Sequence, residues 1–363
     1  MNSQKVRLEL LLLGTGTSSQ VPSITCLTDP SGNGCDCCKS TDKKNQRRNT
    51  SALLRINHLI AHNLTTNHIL IDVGKSFYEA SKDLFPKNRI RKLDAVILTH
   101  PHADAINGLD DLRAWTLGRA IQNSIPIYCN QYTYSEISKS FRYLVNSDAK
   151  TGGGDVPEFE WRIIENSLAF EICGIQITPL PVHHGKFFGT ATPTPYICLS
   201  YLFNQSICYM ADVSEIPHST WTLIRKILNP STPLPILIVD TLRIGPHNSH
   251  FGIAQAVETA HTFPALKTYL LGFSHRVTHD CWVHCCKAIS QGKVSDLVPR
   301  PASSPLAPQG IKEDFEWFTQ TALREIEQFS HSFRQKSIWL RPAFDGLWVK
   351  TDGHSAWDDA YED

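Results

Sequence analysis

The chain has 363 residues, of which 41% are hydrophobic and 19% charged, so it has enough apolar side chains to bury a sizeable core. Its 35 basic and 35 acidic residues balance, which excludes a general electrostatic attraction to nucleic acid or acidic lipid. The apolar run at residues 10–13 is too short for a signal-peptide core or a membrane span. We therefore expect a soluble cytoplasmic protein without a membrane partner, with a nuclear location also open.

Strand and helix patterns alternate along the chain. The predicted strands cover residues 7–13, 51–56, 69–73, 95–99, 175–180, 197–203, 207–211, 236–240, 268–272 and 338–349. The predicted helices cover residues 77–84, 106–115, 134–145, 253–261 and 315–333. Residues 291–310 are rich in Pro and Ser, which is typical of a surface insertion or linker. We predict one α+β domain over residues 1–363 with this late insertion, built as two sheets packed face to face with helices outside.

The strongest chemical signal directly follows the predicted strand at residues 95–99. His100, His102 and Asp104 occupy alternate positions, so in extended backbone they project to one side. Two imidazoles and a carboxylate suit Zn²⁺ or Mn²⁺, and a bound dication lowers the pKa of its water to about 7, which makes hydroxide at neutral pH. A polar loop with incidental histidines is the alternative, and the regular alternation after a strand disfavours it.

Three further groups of candidate residues follow predicted strands. His183 and His184 precede Gly185, and His184 is favoured because it lies directly before the glycine. Asp212 ends an apolar strand and is placed to bridge two metals. The last group comprises Asp240, Arg243, His247 and His250. Each alone could be a cap or a surface residue, but their shared placement after strands argues for a common site.

These motifs resemble those of the metallo-β-lactamase superfamily. The matching strings are Leu-Gly-Thr-Gly-Thr-Ser at residues 13–18, Ile-Asp-Val-Gly at 71–74, the His-x-His-x-Asp motif, His-Gly at 184–185 and Ala-Asp at 211–212. Within the superfamily, the chain resembles the branch typified by the phosphoribosyl cyclic phosphate phosphodiesterase of phosphonate breakdown, with uncharacterised fungal and plant hydrolases nearest. The resemblance implies a four-layer αββα sandwich with a C-terminal helical insertion and the metals at one edge. It implies one metal on His100, His102 and His184, a second on Asp104, and Asp212 as the bridge.

Two departures from the superfamily pattern concern the second metal. Ala105 and Gly272 stand where the pattern has histidines, so the second site lacks both expected imidazoles. Either one metal alone binds tightly or carboxylates substitute. Asp110 and Asp111 follow soon after, and Asp111 lies seven residues from Asp104, on a similar face of the predicted helix. We therefore predict that Asp110 or Asp111 completes an oxygen-rich second site that prefers manganese.

A cysteine-rich loop forms a second cluster of metal-ligand types. Eleven cysteines without a secretory signal disfavour a disulfide framework, whereas Cys35 and Cys38 have the C-x-x-C spacing that holds zinc. The resembled branch carries a structural zinc here, completed by a histidine that matches His275. Ser40 replaces the branch's last cysteine, so Cys38 or Cys26 must take its place. The predicted structural zinc ligands are Cys35, Cys37, Cys38 and His275, with an unliganded reduced loop as the alternative.

Together these features predict a metal-dependent hydrolase that cleaves a small phosphodiester, cyclic diesters included, with divalent Zn or Mn at its active site. The predicted catalytic residues are Asp104 and His250, with His250 as general acid and His279 as a weaker alternative. Lys186 and Arg243 are the first candidates to bind substrate, and Arg47 and Arg48 are further phosphate-binding candidates. Another ester or thioester hydrolase of the same fold, or a metal-binding protein without turnover, are the competing functions. The sequence has no basic stripe for nucleic acid, and a homodimer stays open.

Overall fold

The computed structural model describes residues 5–60, 63–149, 151, 153–189, 192–229, 232–291, 315–329 and 337–361. The strands are β1 (Lys5–Gly14), β2 (Ser51–Ile60), β3 (Asn63–Ile71), β4 (Ala95–Ile97), β5 (Ile125–Asn130), β6 (Phe159–Ile164), β7 (Phe170–Ile172), β8 (Ile175–Phe187), β9 (Thr194–Phe203), β10 (Ile207–Met210), β11 (Leu234–Asp240), β12 (Ala265–Leu271), β13 (Leu340–Pro342), β14 (Trp348–Thr351) and β15 (Ala356–Asp358).

The α-helices are α1 (Ile24–Leu27), α2 (Asp36–Lys39), α3 (Phe77–Lys87), α4 (Ala103–Ile106), α5 (Arg113–Thr116), α6 (Gln131–Ser140), α7 (Arg142–Val145), α8 (His218–Ile227), α9 (Ile253–Thr262), α10 (His279–Ser290) and α11 (Phe315–Phe329). Short 3-10 helices lie at Lys43–Asn45, Leu109–Leu112, Leu117–Arg119 and Ser147–Ala149. In the part of the chain that these elements cover, no helix combines the length and apolar character needed to cross a bilayer.

Two sheets form the centre of the molecule. The strand order is β15-β14-β1-β2-β3-β4-β5-β6 in the first sheet and β13-β12-β11-β10-β9-β8-β7 in the second. Strands β3 to β6 run parallel in the first sheet, and β10 to β13 run parallel in the second. Polar residues gather at the carboxyl ends of these parallel strands in both sheets. Parallel α/β sheets commonly bind ligands at this edge.

The side chains pack in layers that confirm the predicted α+β sandwich. Along β1, Leu10 and Leu12 face the second sheet, whereas Leu11 and Leu13 face helices on the outside. Strand β11 behaves in the same way, because Ile238 faces the first sheet and Leu237 faces helices α9 to α11. A strand buried on both faces needs a continuous apolar run rather than an alternating one. The helices therefore cover both sheets, and the C-terminal helix α11 packs on the second.

Three predicted elements are wrong in detail. The helix expected at residues 134–145 is divided at Phe141 into α6 and α7. The single strand expected at residues 338–349 is divided: β13 pairs with β12 in the second sheet, and β14 pairs with β1 in the first. The helix expected at residues 106–115 is broken into α4, a 3-10 turn and α5, because Gly108 lies so close to Gly74 that a Cβ there would be 2.4 Å from the Gly74 carbonyl oxygen. Most of the predicted insertion, residues 292–310, and the end of the predicted last helix, residues 330–333, lie outside the described residues.

Candidate active site

Three predicted histidines meet at the edge between the two sheets. His100 follows β4, His102 caps α4, and His184 lies near the end of β8. The ring centroid of His100 lies 4.6 Å from that of His102 and 5.0 Å from that of His184. Each of the three offers a nitrogen within 4.8 Å of the others. The neighbouring candidate, His183, instead places its Nδ1 3.0 Å from Glu215 Oε2, so only His184 of this pair joins the cluster.

A buried relay orients His100. The Thr99 hydroxyl donates to Asp72 Oδ2 at 2.7 Å, and the Thr99 oxygen lies 2.7 Å from His100 Nδ1. Because the single hydroxyl hydrogen points at Asp72, the Thr99 oxygen must accept from His100 Nδ1–H. The Nε2 of His100 therefore carries the lone pair, and this atom is buried without a hydrogen-bond partner among the described residues. A carboxylate–hydroxyl–imidazole relay of this kind fixes the tautomer of a metal ligand.

The other two imidazoles are held in the same protonation state. His184 Nδ1 donates to the carbonyl oxygen of Ser249 at 2.7 Å, which leaves its Nε2 with the lone pair. Burial lowers the pKa of His184 to about 3, and the neighbouring His250 and His102 act in the same direction. Burial also lowers the pKa of His100 and of His102, although Asp104 opposes the effect at His102. All three are therefore neutral at physiological pH, which is the form that binds a metal ion.

These observations test whether a divalent ion fits the cluster. Three neutral imidazoles from two separate segments converge, and the buried, unpartnered Nε2 of His100 needs a donor or a cation to offset its lost hydration. Imidazole nitrogens suit Zn²⁺ and other borderline dications. The residues present therefore fit a divalent metal.

A second group overlaps the first. His184, Asp212 and His250 each offer a ligand atom within 4.8 Å of the other two. Asp212 follows β10 with a φ of 57°, a left-handed conformation that is rare and strained for a residue with a side chain. Burial raises the pKa of the Asp212 carboxyl, against the effect of His250. A buried carboxylate is stabilised when a cation lies beside it, so this group too favours a positively charged occupant.

Asp240 and His250 form a hydrogen-bonded pair beside Asp212. Asp240 ends β11, and its Oδ2 accepts from His250 Nδ1 at 2.8 Å and from the Val213 backbone N–H at 3.0 Å. His250 Nδ1 also lies 3.9 Å from Asp212 Oδ1. Burial opposes a charge on His250, but the carboxylate of Asp240 outweighs it and raises the pKa of His250 to about 9. His250 is thus held in its protonated form, and a protonated imidazole can donate to a ligand.

Asp104 lies half-buried in the first turn of α4. Its negative charge raises the pKa of His102 and also acts on Asp212 and His250, but Asp104 belongs to none of the metal-ligand groups that the described residues form. The predicted role of Asp104 at a second metal stays a prediction.

The predicted carboxylate substitutes are not supported by their positions. The Asp110 carboxylate is paired with the Arg113 guanidinium, and its Oδ1 accepts from the Tyr143 hydroxyl at 3.1 Å. Asp111 lines a separate cavity beside Trp115. Neither belongs to the metal-ligand groups that the described residues form. Because the helix after Ala105 is broken, Asp111 does not lie on the same face of one continuous helix as Asp104. A role for Asp110 or Asp111 at a second metal stays a prediction.

Asp240 explains why position 272 has a glycine and not the histidine of the superfamily pattern. Gly272 has a φ of 85°, and a Cβ there would lie 2.3 Å from Asp240 Oδ1. The carboxylate of Asp240 therefore takes the space that a side chain at position 272 would need. This Oδ1 is buried without a hydrogen-bond partner among the described residues, so it adds negative charge to the same edge of the sheets.

The cysteine loop forms a four-residue cluster. Cys26, Cys35, Cys38 and His275 offer ligand atoms within 4.8 Å of one another. The Cys26 and Cys35 sulfurs lie 3.8 Å apart, and His275 Nδ1 lies 3.4–3.6 Å from the three sulfurs. A tetrahedral zinc with bonds of about 2.3 Å to sulfur and about 2.0 Å to nitrogen requires edges of about 3.8 and about 3.5 Å. The observed edges match these values and are far longer than the roughly 2.05 Å of a disulfide.

Cys26 and Cys38, the two alternatives for the last cysteine ligand, both belong to this cluster. Cys26 and Cys38 each approach His275, whereas the predicted ligand Cys37 lies with its sulfur 3.7 Å from Asn45 Oδ1. The short helix α2 explains the correction, because its consecutive residues cannot point to one side. The sequence could not fix the role of Cys26, since only the folded loop brings it to Cys35.

A cavity of about 680 Å³ opens beside the three histidines. Its lining includes His102, His184, Lys186, Asn248 and Ser249, together with aromatic side chains. Lys186 thus lies where it was predicted to meet a substrate. Of the described residues that line this cavity, Lys186 carries the only fixed positive charge.

The predicted arginines have other roles. The exposed Arg243 donates to the carbonyl oxygens of Gly245 and Pro246 and organises its own loop. Arg47 is buried and donates to the carbonyl oxygens of Ser274 and Val277. The remaining phosphate candidate, Arg48, pairs with Asp83 at 3.1 Å, with Asp345 near its other nitrogen. None of the three lines the cavity.

His279, the weaker acid candidate, lies in a packing contact. Its Nε2 is 3.0 Å from the Tyr361 hydroxyl, and its ring meets Phe344 edge to face. Burial lowers its pKa to about 3, so it is a neutral imidazole at neutral pH and not an acid.

Three residues of the site were not predicted from the sequence: Thr99 and Tyr196 were missed, and Asp72 was given no role. A lone threonine or tyrosine carries no recognisable signal in the sequence. Asp72, in contrast, lies in the Ile-Asp-Val-Gly motif at residues 71–74, and that motif was a signal for it.

Comparison with known proteins agrees with this architecture. A family model for the beta-lactamase superfamily domain matches residues 67–273, more than half of the chain. The crystal structure of a diphosphatase from the PhnP family aligns over 95% of this chain and 98% of its own, with 25% identity and a TM-score of 0.61. Yeast PDE1 aligns over 94% and 98% of the two chains with 12% identity and a TM-score of 0.54, a likeness in fold alone.

A curated octanoyltransferase of Porphyromonas gingivalis is 26% identical over 266 residues, which are 73% of this chain and 46% of that protein. The chain therefore spans about half the length of this curated relative. Because the family model matches more than half of the chain, the chain belongs to the metallo-β-lactamase superfamily, and it is similar over nearly its whole length to a structure from the PhnP family.

Proposed function

We propose that this protein is a metal-dependent phosphodiesterase that acts on small phosphodiesters, cyclic ones included. The observation that carries the proposal is the position of His250, whose Nδ1 donates to Asp240 beside three imidazoles that can hold a metal. Its relatives include a protein described as a diphosphatase.

His100, His102, His184 and Asp212 would hold the metal. A divalent ion bound there supplies Lewis acidity for the phosphoryl oxygen and lowers the pKa of water. The chain's own residues supply the rest. Thr99 and Ser249 fix the tautomers of two of the ligands, and His250 holds a proton on the side of the cluster where a leaving alkoxide needs one.

The charge of the cavity favours a diester over a monoester. A phosphodiester carries one negative charge at neutral pH, whereas a phosphomonoester carries nearly two. The lining offers Lys186 as its fixed cation, and the histidines that line it are neutral. Before His250 and a bound metal are counted, the neighbouring carboxylates of Asp104 and Asp240 add negative charge, which repels a dianion more strongly than a monoanion.

The test compares three substrates that release the same product. Metal-reconstituted protein should hydrolyse bis(p-nitrophenyl) phosphate with a kcat/KM at least about tenfold above that for p-nitrophenyl phosphate or p-nitrophenyl acetate. Chelation should abolish the activity, and His102→Ala should lower kcat by about a hundredfold or more while the circular dichroism spectrum is retained. Preference for the acetate would favour a carboxylic ester hydrolase, and unchanged activity after metal removal would refute the proposal.

We also propose that Cys26, Cys35, Cys38 and His275 hold a structural zinc. The tetrahedral edge lengths support zinc over a reduced, empty loop. Arg47 lies buried beneath this loop, and the charges of its thiolates would stabilise the Arg47 guanidinium, whose pKa burial otherwise lowers. X-ray absorption of metal-replete protein should show zinc–sulfur scattering from three sulfurs, and its absence would end this assignment.

A further inference from the structure

We infer that the cavity beside the metal cluster binds the base of a nucleoside, so that the substrates are phosphodiesters of nucleosides. The inference rests on the proposed phosphodiesterase function and names its substrate class. It is carried by four aromatic side chains, here called the aromatic wall: Tyr132, Phe187, Phe188 and Tyr196.

The aromatic wall begins at a metal-ligand candidate. The Tyr196 ring stacks face to face on His102, with centroids 4.6 Å apart and planes 8° from parallel. Phe187 contacts Tyr196 at 5.0 Å, and Tyr132 meets both rings at 6.0–6.1 Å. Tyr132, Phe187 and Tyr196 therefore form a continuous set of rings that extends outward from the histidines, Phe188 lines the same cavity next to them, and Tyr196, buried to all but 7%, fixes the inner end.

The outer rings of the wall are exposed. Phe187 is 40% and Phe188 76% accessible to solvent, although both line the cavity. Neither belongs to the hydrophobic core clusters of the described residues. Single exposed hydrophobic residues are common, but two adjacent phenylalanines that line the cavity next to a polar metal cluster leave apolar surface free for a ligand.

The neighbouring polar groups distinguish a base from an alkyl chain. Lys186 precedes Phe187 and lines the same cavity, so it is positioned to pair with a phosphate attached to the stacked group. Asn248 also lines the cavity, and its amide both donates and accepts hydrogen bonds. A base offers a flat face to the rings and a polar edge to the exposed Asn248 amide, whereas an alkyl chain offers that amide no hydrogen-bond partner.

The test uses metal-loaded protein and diesters that share the p-nitrophenolate leaving group: the p-nitrophenyl esters of thymidine 5′-phosphate, ethyl phosphate and octyl phosphate. The parent should prefer the thymidine diester to the ethyl diester by at least about tenfold in kcat/KM. The double variant Phe187→Leu/Phe188→Leu should lose about fivefold to about a hundredfold of that preference, mainly through KM, because one stacked base contributes in this range.

The double variant should lower kcat/KM for the ethyl diester by much less than for the thymidine diester, because both substrates carry the same p-nitrophenyl ring and differ only in the base and its sugar. Phe329→Leu is the matched control, because Phe329 is 53% exposed at the end of α11, outside the cavity lining. Its kinetics should equal those of the parent, and bound metal should be the same in all three proteins. Equal kcat/KM for thymidine and ethyl diesters, or a larger value for the octyl diester, would overturn the inference.

Binding separates this inference from the proposed function. If none of the diesters is hydrolysed, the phosphodiesterase proposal fails, but calorimetry with thymidine 5′-monophosphate still tests the cavity. Tighter binding of this nucleotide than of ethyl phosphate by about tenfold, lost in the double variant, would support the base site. Equal affinities for the two phosphates would refute it.

Discussion

The hydroxyl of Thr99 determines which nitrogen of His100 is available to a metal. Thr99→Val keeps the shape of the side chain but removes the hydroxyl that joins Asp72 Oδ2 to His100 Nδ1, both at 2.7 Å. The buried carboxylate then loses one donor, and the imidazole loses the acceptor that fixes its tautomer. His100 is 1% exposed, so water does not readily replace either partner.

The expected magnitude follows from these two lost hydrogen bonds. Loss of a hydrogen-bond partner that orients a metal-binding histidine typically weakens metal binding by about tenfold to a hundredfold. That range corresponds to about 1.4–2.8 kcal/mol of binding free energy. Each buried group left unpaired lowers the free energy of unfolding by a further ~1–3 kcal/mol in the metal-free protein. The variant should therefore lose both metal affinity and stability.

Competition with a chromophoric chelator measures metal affinity, and urea unfolding of the metal-free protein measures stability. Thr259→Val is the matched control, because Thr259 is also buried and donates to a single backbone carbonyl, that of Gln255, at 2.8 Å within α9. It should lose some stability and no metal affinity. If Thr99→Val binds metal within about twofold of the parent, His100 is not a ligand oriented by Thr99, and the relay has only a packing role.

Three further predictions follow from the contacts of single side chains. Cys38→Ser should lower the unfolding temperature and remove the bound zinc, whereas Cys37→Ser should retain it, because only the first thiol approaches His275; equal zinc loss would contradict the assignment of the ligands. Asp110→Asn should bind as much metal as the parent, since its carboxylate is already paired with an arginine; loss of one metal equivalent would restore the hypothesis of an oxygen-rich second site. Lys186→Ala should raise KM for a phosphodiester by about tenfold and Arg243→Ala by less than about twofold, because Arg243 is engaged by its own loop; equal effects would show that the arginine reaches the substrate.

The sequence was most informative where local pattern and fold agree. His100, His102 and Asp212 could be predicted as neighbours because each directly follows an apolar strand, and parallel strands of the two sheets end at one edge. The apolar run at residues 7–13 predicted the strand β1, in which Leu10 and Leu11 face opposite layers. These inferences needed only the periodicity of a strand and the chain order of the motifs.

The sequence was least informative where the outcome depends on contacts distant along the chain. Asp111 was placed on a helix that continues from Asp104, but the close approach of Gly108 to Gly74 breaks that helix. No local pattern indicated that Asp240 would fill the space next to Gly272, thirty-two positions further along the chain. The two cysteine alternatives could not be separated either, because both reach His275 only after the loop folds onto the end of β12.

The two clusters share the segment that follows β12. The backbone N–H groups of Gly272 and Phe273 both donate to the carbonyl oxygen of Thr15, which fixes the start of this segment on the Gly-Thr-Gly-Thr turn after β1. Three residues on from Gly272, His275 joins the cysteine cluster.

The buried guanidinium of Arg47 donates to the carbonyl oxygen of Ser274, directly before His275. Gly272 in turn leaves the space that Asp240 Oδ1 takes, and Asp240 Oδ2 holds His250. The cysteine cluster is therefore connected to the proposed proton donor through four consecutive positions of one segment, Gly272 to His275, and one carboxylate. A zinc bound to the cysteine loop would stabilise more than that loop, because the same backbone sets the position of Asp240 and, through it, the orientation of His250 toward the three neutral imidazoles.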